Sequence, residues 1–299
     1  MKLSICVITM NRAAQLKEAL ESCLACDLPR DTEFVIVDNA STDDTEQTVH
    51  ATLKDCGYSY LYEKLSENLG VGGGRNYAYS KVGGEYMYMM DDDAVIDTDK
   101  NPDFFVRAVE ILDQESRIVT LTTQIYDTVW LKNRVDIVEP QLLPNVYKCQ
   151  MFCGGSHFLR KSFYTDPPYL HNKYGYEEIP PSLRAINAGK LNVFTPDLLV
   201  IHKPVINKWN WDDEKNHELL IKGIALPYAI KKMMYPKIVS PILNLAIARR
   251  ISIYLNNIDD AKVKVKTMAR SFLLEFPIRE KMKLSTIFQM IRDFGLATF

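Results

Sequence analysis

The chain has 299 residues, of which 47% are hydrophobic and 25% are charged, an ordinary composition for a soluble globular protein. Its length allows one large domain or two smaller ones. The first ten residues lack the apolar core and cleavage site of a signal peptide. The apolar stretch 238–248 contains polar residues and a proline, and it is too short to cross a bilayer. We therefore expect a cytoplasmic protein.

The net charge of -2 conceals an asymmetry between the two ends of the chain. Residues 203–299 carry 17 Lys and Arg against 9 Asp and Glu, whereas residues 1–202 carry 19 against 29. An acidic body that binds anionic ligands needs a metal ion, and a basic tail predicts an anionic partner surface. Lipid headgroups or polyanionic acceptors would provide such a surface, and no nucleic-acid partner is predicted.

The six cysteines include two close pairs, Cys23 with Cys26 and Cys149 with Cys153, which zinc sites also use. Against zinc, Cys23 follows a helical pattern with Leu16 and Leu20, and the sequence offers no compact four-ligand cluster with a nearby histidine. Buried free thiols are therefore predicted.

Strands and helices alternate through residue 93. Strands are predicted over 3–9, 33–38, 58–63 and 85–90, and helices over 13–25 and 44–53 and from about Arg75. This alternation predicts βαβ units and a largely parallel sheet.

After residue 93 the pattern is mixed. A helix is predicted near 104–114, with strands near 118–124, 152–159 and 198–201. Beyond residue 202 the chain becomes a series of Lys-rich amphipathic helices, from about 213 to the end. We predict one domain over 1–204, with halves 1–93 and 94–204, and a basic helical region over 205–299.

Three consecutive aspartates, Asp91, Asp92 and Asp93, follow the fourth predicted strand. Side chains i and i+2 at the end of a strand point the same way, so Asp91 and Asp93 can converge on one cation. Hard oxygen ligands suit Mg²⁺ or Mn²⁺. The alternative is a solvated acidic turn.

Three further polar groups follow predicted strands, at 9–12, 38–41 and 70–76. Ligands of open α/β sheets bind beyond the carboxyl ends of the strands. Asp38 can accept hydrogen bonds from ribose hydroxyls or a base. The Gly-rich segment 70–74 lets the backbone approach a ligand and opens a helix whose N-terminus favours anions. It fits neither the Walker spacing nor a dinucleotide fingerprint.

The ordered motifs of 4–12, 33–43, 68–76 and 90–93 resemble those of family 2 inverting glycosyltransferases. The resemblance implies a GT-A fold, in which a Rossmann-like, mostly parallel sheet is flanked by helices, here followed by a C-terminal helical extension. It implies an Asp-x-Asp metal site at Asp91 and Asp93. The residues that it places against the donor are Thr9, Asn11, Arg12, Asp38, Gly70, Arg75, Asp91 and Asp92.

The segment 176–189 resembles the part of these enzymes that carries the catalytic base, and 153–160 resembles the strand below the sugar and acceptor pocket. Glu178 falls where the base aspartate normally lies, and Pro180 falls where a second acid is frequent. Glu177 is the rival base. The alternative is a pair of charges at a helix start, where the helix dipole favours Glu.

His202 follows the last predicted strand, and related enzymes can use a histidine there to complete the metal or diphosphate site. A hydrogen-bonded histidine without that role is the alternative. Trp209 and Trp211 lie in a polar loop, where they can stack on sugar or pack the tail against the body.

The resemblance implies a metal-dependent inverting transferase that moves a sugar from a nucleotide-sugar, by default a UDP-sugar, to a hydroxyl of a glycan or lipid-linked acceptor. Synthesis of surface polysaccharide is the expected context. One alternative is a non-catalytic nucleotide-sugar or carbohydrate-binding scaffold. Another is a sugar nucleotidyltransferase, which Thr9-Met-Asn-Arg12 disfavours because those enzymes open with a Gly-rich loop.

The basic tail predicts peripheral contact with the inner face of the membrane. Its apolar residues Ile238, Ile242, Leu245 and Ile253 would face the lipid, and its Lys and Arg would meet phosphate. A helical lid over the acceptor cleft and a homodimer interface are alternatives.

Overall fold

The structure is a computed structural model, and it describes residues 1–136, 140–173, 175–204, 214–276 and 278–299. The chain divides into two compact units, Met1–Val205 and Ile206–Phe299. Trp209 and Trp211 lie outside the described residues.

The first unit is built on one mixed sheet. Numbered in chain order, the strands in its described part are β1 Leu3–Thr9, β2 Thr32–Asp38, β3 Ser59–Lys64, β4 Tyr86–Asp91, β5 Ala94–Ile96, β6 Ile118–Asp127, β7 Lys132–Asn133, β8 Gln141–Leu143, β9 Val146–Lys148, β10 Ser156–Arg160 and β11 Leu191–His202. Their order across the sheet is β3-β2-β1-β4-β10-β6-β11-β9-β8, with β5 paired to β11 and β7 to β6. The four strands from β3 to β4 are parallel, and β10 runs antiparallel between β4 and β6.

Helices cover the sheet on both faces. Those described in the first unit are α1 Ala13–Leu24, α2 Thr45–Leu53, α3 Gly70–Lys81, α4 Phe104–Gln114 and α5 Ile179–Asn187. One face of the sheet packs in a core that contains α1 and α4, and the other packs against α3 and α5. Tyr88 lies at the centre of the first core, with its ring against those of Phe105 and Phe158. The predicted GT-A class of α/β fold is confirmed.

Three predicted boundaries were wrong. The third helix begins at Gly70 rather than Arg75, because the glycines form its first turn. The strand predicted over 152–159 begins at 156. The strand predicted over 198–201 is the end of one that starts at Leu191 and bends at a register shift after Thr195. In each case the local sequence does not specify where the helix or strand begins, and contacts with residues distant in the sequence decide it.

The second unit is helical in its described part, with α6 Glu214–Met234, α7 Ser240–Tyr254, α8 Ala261–Glu275 and α9 Leu284–Phe294. Its core joins α6 to α8 through small and branched side chains, including Ala225, Ala229, Val265 and Ala269. Among the helices whose residues the structure describes, none has the length and apolarity that a membrane span requires.

Candidate metal and donor site

The strand register gathers polar side chains at one edge of the sheet. β2, β4, β6 and β11 end in Asp38, Asp91, Asp127 and His202 respectively. Thr9 pairs with Asp38, and His202 pairs with Asp127. Because the carboxyl ends of these strands meet at one edge, residues far apart in the sequence become neighbours.

Asp91, Asp93 and His202 offer ligand atoms that all lie within 4.8 Å of one another, and they form a possible metal site among the described residues. Nε2 of His202 lies 3.1 Å from Oδ1 of Asp93. We predicted that Asp91 and Asp93 converge because alternate side chains of a strand point the same way, but the structure shows a turn instead. Asp91 ends β4, and Asp92 and Asp93 form the turn into β5.

Asp92 is buried and bound to the end of β1 and the loop that follows it. Its carboxylate accepts a hydrogen bond of 2.7 Å from Thr9 Oγ1 and one of 2.8 Å from Arg12, which also donates to Asp93. Burial raises the pKa of Asp92 to about 6, against the opposing effect of Arg12. Burial alone would also raise the pKa of Asp93, but its hydrogen bond with His202 and the charge of Arg12 hold that pKa below its usual value.

Asp127 is the site residue that sequence reasoning missed. It is fully buried, and its Oδ2 lies 3.1 Å from Nδ1 of His202 and 2.8 Å from Nη2 of Arg134. Nη2 of Arg134 also lies 2.9 Å from Nδ1 of His202, so Asp127 and Arg134 both contact this side of the imidazole, and Nε2 faces Asp93. The available signal was an aspartate at the end of an apolar strand, the pattern that drew attention to Asp38 and Asp91.

Arg75 joins the acidic cluster to the segment that precedes α5. Its side chain is 3% exposed and donates to Asp91 at 2.7 Å and to Glu177. Gly154 permits this arrangement, because a β-carbon there would lie 2.7 Å from Nη1 of Arg75. The guanidinium that we predicted to contact the donor is therefore paired with two carboxylates.

Glu178 and Glu177 are adjacent in the sequence but differ in burial and in ion pairing. Glu177 is buried and ion-paired with Arg75, whereas Glu178 is half-buried at the N-cap of α5. Burial raises the pKa of Glu178 to about 8, and the negative charge of Glu177 adds to the effect. A carboxyl group that titrates near neutral pH is suited to proton transfer.

The glycines at the start of α3 pack against another segment of the protein. The amides of Val71 and Gly72 donate to the carbonyls of Lys173 and Asn172, at 2.9 and 3.1 Å. Gly70 has a φ of +74°, and a β-carbon there would lie 2.5 Å from Cα of Lys173. The close approach predicted for a ligand is thus made by segment 170–173, and two amides of the helix start are already used.

We expect Gly72→Ala to destabilise the protein by about 3 kcal/mol, at the upper end for overpacking. The added β-carbon would lie 1.9 Å from the carbonyl oxygen of Leu170, so backbone must move. Guanidinium unfolding would measure the loss. Gly83→Ala is the matched control, because its β-carbon meets only the flexible side chain of Glu33. Equal unfolding midpoints for the two variants would contradict this packing.

The residues predicted to hold the nucleoside are linked to one another. Asp38 is fully buried and accepts hydrogen bonds from the Ser41 amide at 2.7 Å and the Tyr62 hydroxyl at 2.6 Å. Asn11, with a φ of 53°, accepts from the Thr42 amide at 2.7 Å. These contacts fix the loops after β1 and β2 against each other. A nucleoside contact by either residue remains a prediction.

The six cysteines are free thiols, of which Cys6, Cys23 and Cys26 are buried and the other three are half-buried. Cys23 and Cys26 pack in the same core as α1.

A mixed sheet of this order, with an acidic cluster at the carboxyl ends of its parallel strands, defines a protein of the GT-A class. The family model described as "Glycosyl transferase family 2" matches residues 4–163, more than half of the chain. The chain therefore belongs to glycosyl transferase family 2. The resemblance to family 2 glycosyltransferases that the sequence motifs indicated is confirmed.

A curated relative is the GalNAc(5)-diNAcBac-PP-undecaprenol beta-1,3-glucosyltransferase of Campylobacter jejuni subsp. jejuni serotype O:2. It is 32% identical over 92 residues, which make up 31% of this chain and 29% of the relative. The match thus spans less than a third of either protein.

Solved structures share the fold at low sequence identity. S. aureus TarS 1-349 in complex with UDP-GlcNAc has a TM-score of 0.64 and 16% identity, with 100% of this chain and 89% of that chain covered. The mannosyltransferase PcManGT from Pyrobaculum calidifontis, in complex with GDP-Man and Mn2+, has a TM-score of 0.58 and 17% identity, with coverage of 100% and 81%. A longer TarS structure is matched over 86% of this chain and 45% of its own length.

Proposed function

We propose that the protein is a metal-dependent inverting glycosyltransferase that moves a sugar from a nucleotide-sugar to an acceptor hydroxyl. The observation that carries the proposal is the convergence of Asp91, Asp93 and His202 at the carboxyl edge of the sheet. Family membership supports sugar transfer, and this cluster supplies a reason for metal dependence.

The residues present fit a divalent cation. Two carboxylates and one imidazole form a hard donor set that is mainly oxygen. This set suits Mn²⁺, and it suits Mg²⁺ less well because Mg²⁺ has less preference for a nitrogen ligand. Oδ2 of Asp91 lies beside Gly155, where a β-carbon would come within 2.9 Å of it, so the glycine keeps space around this oxygen. Asp127 lies 3.1 Å from Nδ1 of His202, where it can orient the ring as a carboxylate behind a metal-binding imidazole does.

A divalent cation bound by these residues would offset the negative charge that builds on the departing nucleoside diphosphate. Glu178 would take the proton from the acceptor hydroxyl as its oxygen attacks the anomeric carbon. Arg75 holds Glu177 and Asp91 together, and so fixes the segment that carries Glu178 relative to the acidic edge. A single displacement from the opposite face inverts the anomeric configuration, and no covalent nucleophile is required.

The donor and acceptor classes are supported by similarity. TarS is described in complex with UDP-GlcNAc, GalNAc-T7 with UDP, GalNAc and Mn2+, and PcManGT with GDP-Man and Mn2+. These complexes support a nucleotide-sugar donor, and a UDP-sugar is our default. The Campylobacter relative is named for a PP-undecaprenol-linked acceptor. We therefore propose a glycan or lipid-linked acceptor and a place in surface polysaccharide synthesis.

A thermal-shift panel of UDP, GDP, dTDP and their sugars, each with and without Mn²⁺, tests the proposal. We expect a UDP-sugar with Mn²⁺ to raise the melting temperature by several degrees, because a ligand at about a hundred times its Kd adds about 2.7 kcal/mol to stability. The same panel with the Asp93→Ala variant should lose the dependence on Mn²⁺. Equal shifts with and without Mn²⁺ would refute the metal role.

A further inference from the structure

Helix α7 presents an apolar face to solvent. Ile242, Leu245 and Ile253 are 47%, 72% and 53% exposed, whereas Leu243 is the buried residue of this helix. The spacing of Ile242, Leu245, Arg249 and Ile253 puts these four side chains on one side of the helix, here called the α7 face. Ile238, 71% exposed, precedes the helix. Single exposed apolar residues are ordinary, but an aligned set that no described residue covers indicates a partner.

The stretch of sequence that contains α7 carries charges of one sign. The 40 residues from Leu219 to Ile258 contain six Lys and Arg and no Asp or Glu. Arg249 lies within the α7 face itself and is exposed. A second copy of the chain would bring Arg249 against the same positive surface in a two-fold interface, which is unfavourable. An anionic surface with an apolar interior complements both the charge and the exposed side chains.

A pair of cations borders the α7 face. Leu243, Ile247 and Arg250, on the adjoining side of α7, line a small cleft with Lys231 of α6. Lys231 is 3% exposed, and its Nζ makes no hydrogen bond with a described residue. Burial, together with the charge of Arg250, lowers the pKa of Lys231 to about 7. Phe299 also lines this cleft. Lys231 and Arg250 add positive charge beside the α7 face.

We propose that α7 docks on an anionic lipid bilayer, with the α7 face among the lipid chains and Arg249 and Arg250 toward the lipid phosphates. Arg249 extends from the apolar face to the headgroups, as long basic side chains do at membrane interfaces. The proposal goes beyond sugar transfer and does not depend on it, because binding to lipid requires neither donor nor metal.

Vesicle flotation with the full chain tests the proposal, in the absence of nucleotide-sugar. We expect binding to vesicles of phosphatidylcholine with phosphatidylglycerol and little binding to phosphatidylcholine alone. Leu245→Gln should weaken binding about tenfold through lost apolar burial. Arg249→Met, which removes an exposed charge from the α7 face, should weaken it about fivefold, since one basic residue near an anionic surface contributes about 1 kcal/mol.

Two controls separate these effects from general surface changes. Leu131→Gln removes a leucine of similar exposure, 70%, from the first unit, and Lys17→Met removes an exposed lysine from α1. Both variants should bind vesicles as the parent chain does. Absence of binding at low salt, or unchanged binding of Leu245→Gln, would overturn the proposal. So would a dimer that Leu245→Gln converts to a monomer without any vesicle binding, because α7 would then join two copies.

Discussion

Asp93→Ala is expected to reduce sugar transfer by about a thousandfold or more at saturating Mn²⁺. Asp93 is the one aspartate of the three that contacts both His202 and Arg12, at 3.1 and 2.8 Å. Its removal would take away a metal ligand and would leave the charge on the departing diphosphate without compensation. Several kcal/mol of transition-state stabilisation correspond to that factor.

The measurement is steady-state transfer from a UDP-sugar over a range of Mn²⁺ concentrations, with a melting temperature for each variant. Asp44→Ala is the control, because Asp44 is an exposed aspartate whose side chain makes no cap hydrogen bond to α2. We expect Asp44→Ala to retain full activity. Near-normal turnover of Asp93→Ala with Mn²⁺ present would remove the acidic cluster from the mechanism.

Glu178→Gln is expected to keep donor binding and to lose between about a hundredfold and ten thousandfold in turnover, the range for general-base catalysis. The substitution keeps the shape of the side chain and removes its ability to accept a proton. With a pKa raised by burial to about 8, Glu178 is protonated and inactive as a base at acidic pH. Transfer by the parent chain should therefore rise with pH, with an ascending limb at or below about 8, because a nearby cation favours the carboxylate.

Glu177→Gln separates the two candidate bases. Glu177 is 3% exposed and shares Arg75 with Asp91, so the amide would break a buried ion pair and lower stability by about 3 kcal/mol or more. Its turnover per folded molecule should fall less than that of Glu178→Gln. If donor affinity is intact and only Glu177→Gln abolishes turnover, the base is Glu177.

The sequence was sufficient for the class of fold and for the chemical character of the edge. Buried strands rich in β-branched residues, and the amphipathic helices between them, can be recognised from short stretches of sequence. An aspartate at the end of such a strand can be recognised in the same way, without knowledge of its partners. Asp91, Asp93 and His202 were predicted together from such local cues and from the family motifs. The structure brings them within ligand distance of one another.

Some predictions failed where a segment's environment decides its conformation. The Gly-rich segment has a low helix propensity by itself, but it forms the first turn of α3 because Asn172 and Lys173 accept its amide hydrogens. Strand alternation predicted the convergence of Asp91 and Asp93, whereas a turn between β4 and β5 produces it.

Local pattern alone determined that this chain forms a Rossmann-like sheet with carboxylates at the ends of its strands. Only the tertiary structure decided which groups those carboxylates meet. Asp127 and His202 are 75 residues apart and become neighbours through the parallel register of β6 and β11. Arg75 and Glu177 are 102 residues apart in the sequence. They can make contact because Gly154 has no side chain where the Arg75 guanidinium lies. Strand register and close packing depend on the whole sheet, so a local stretch of sequence does not specify them.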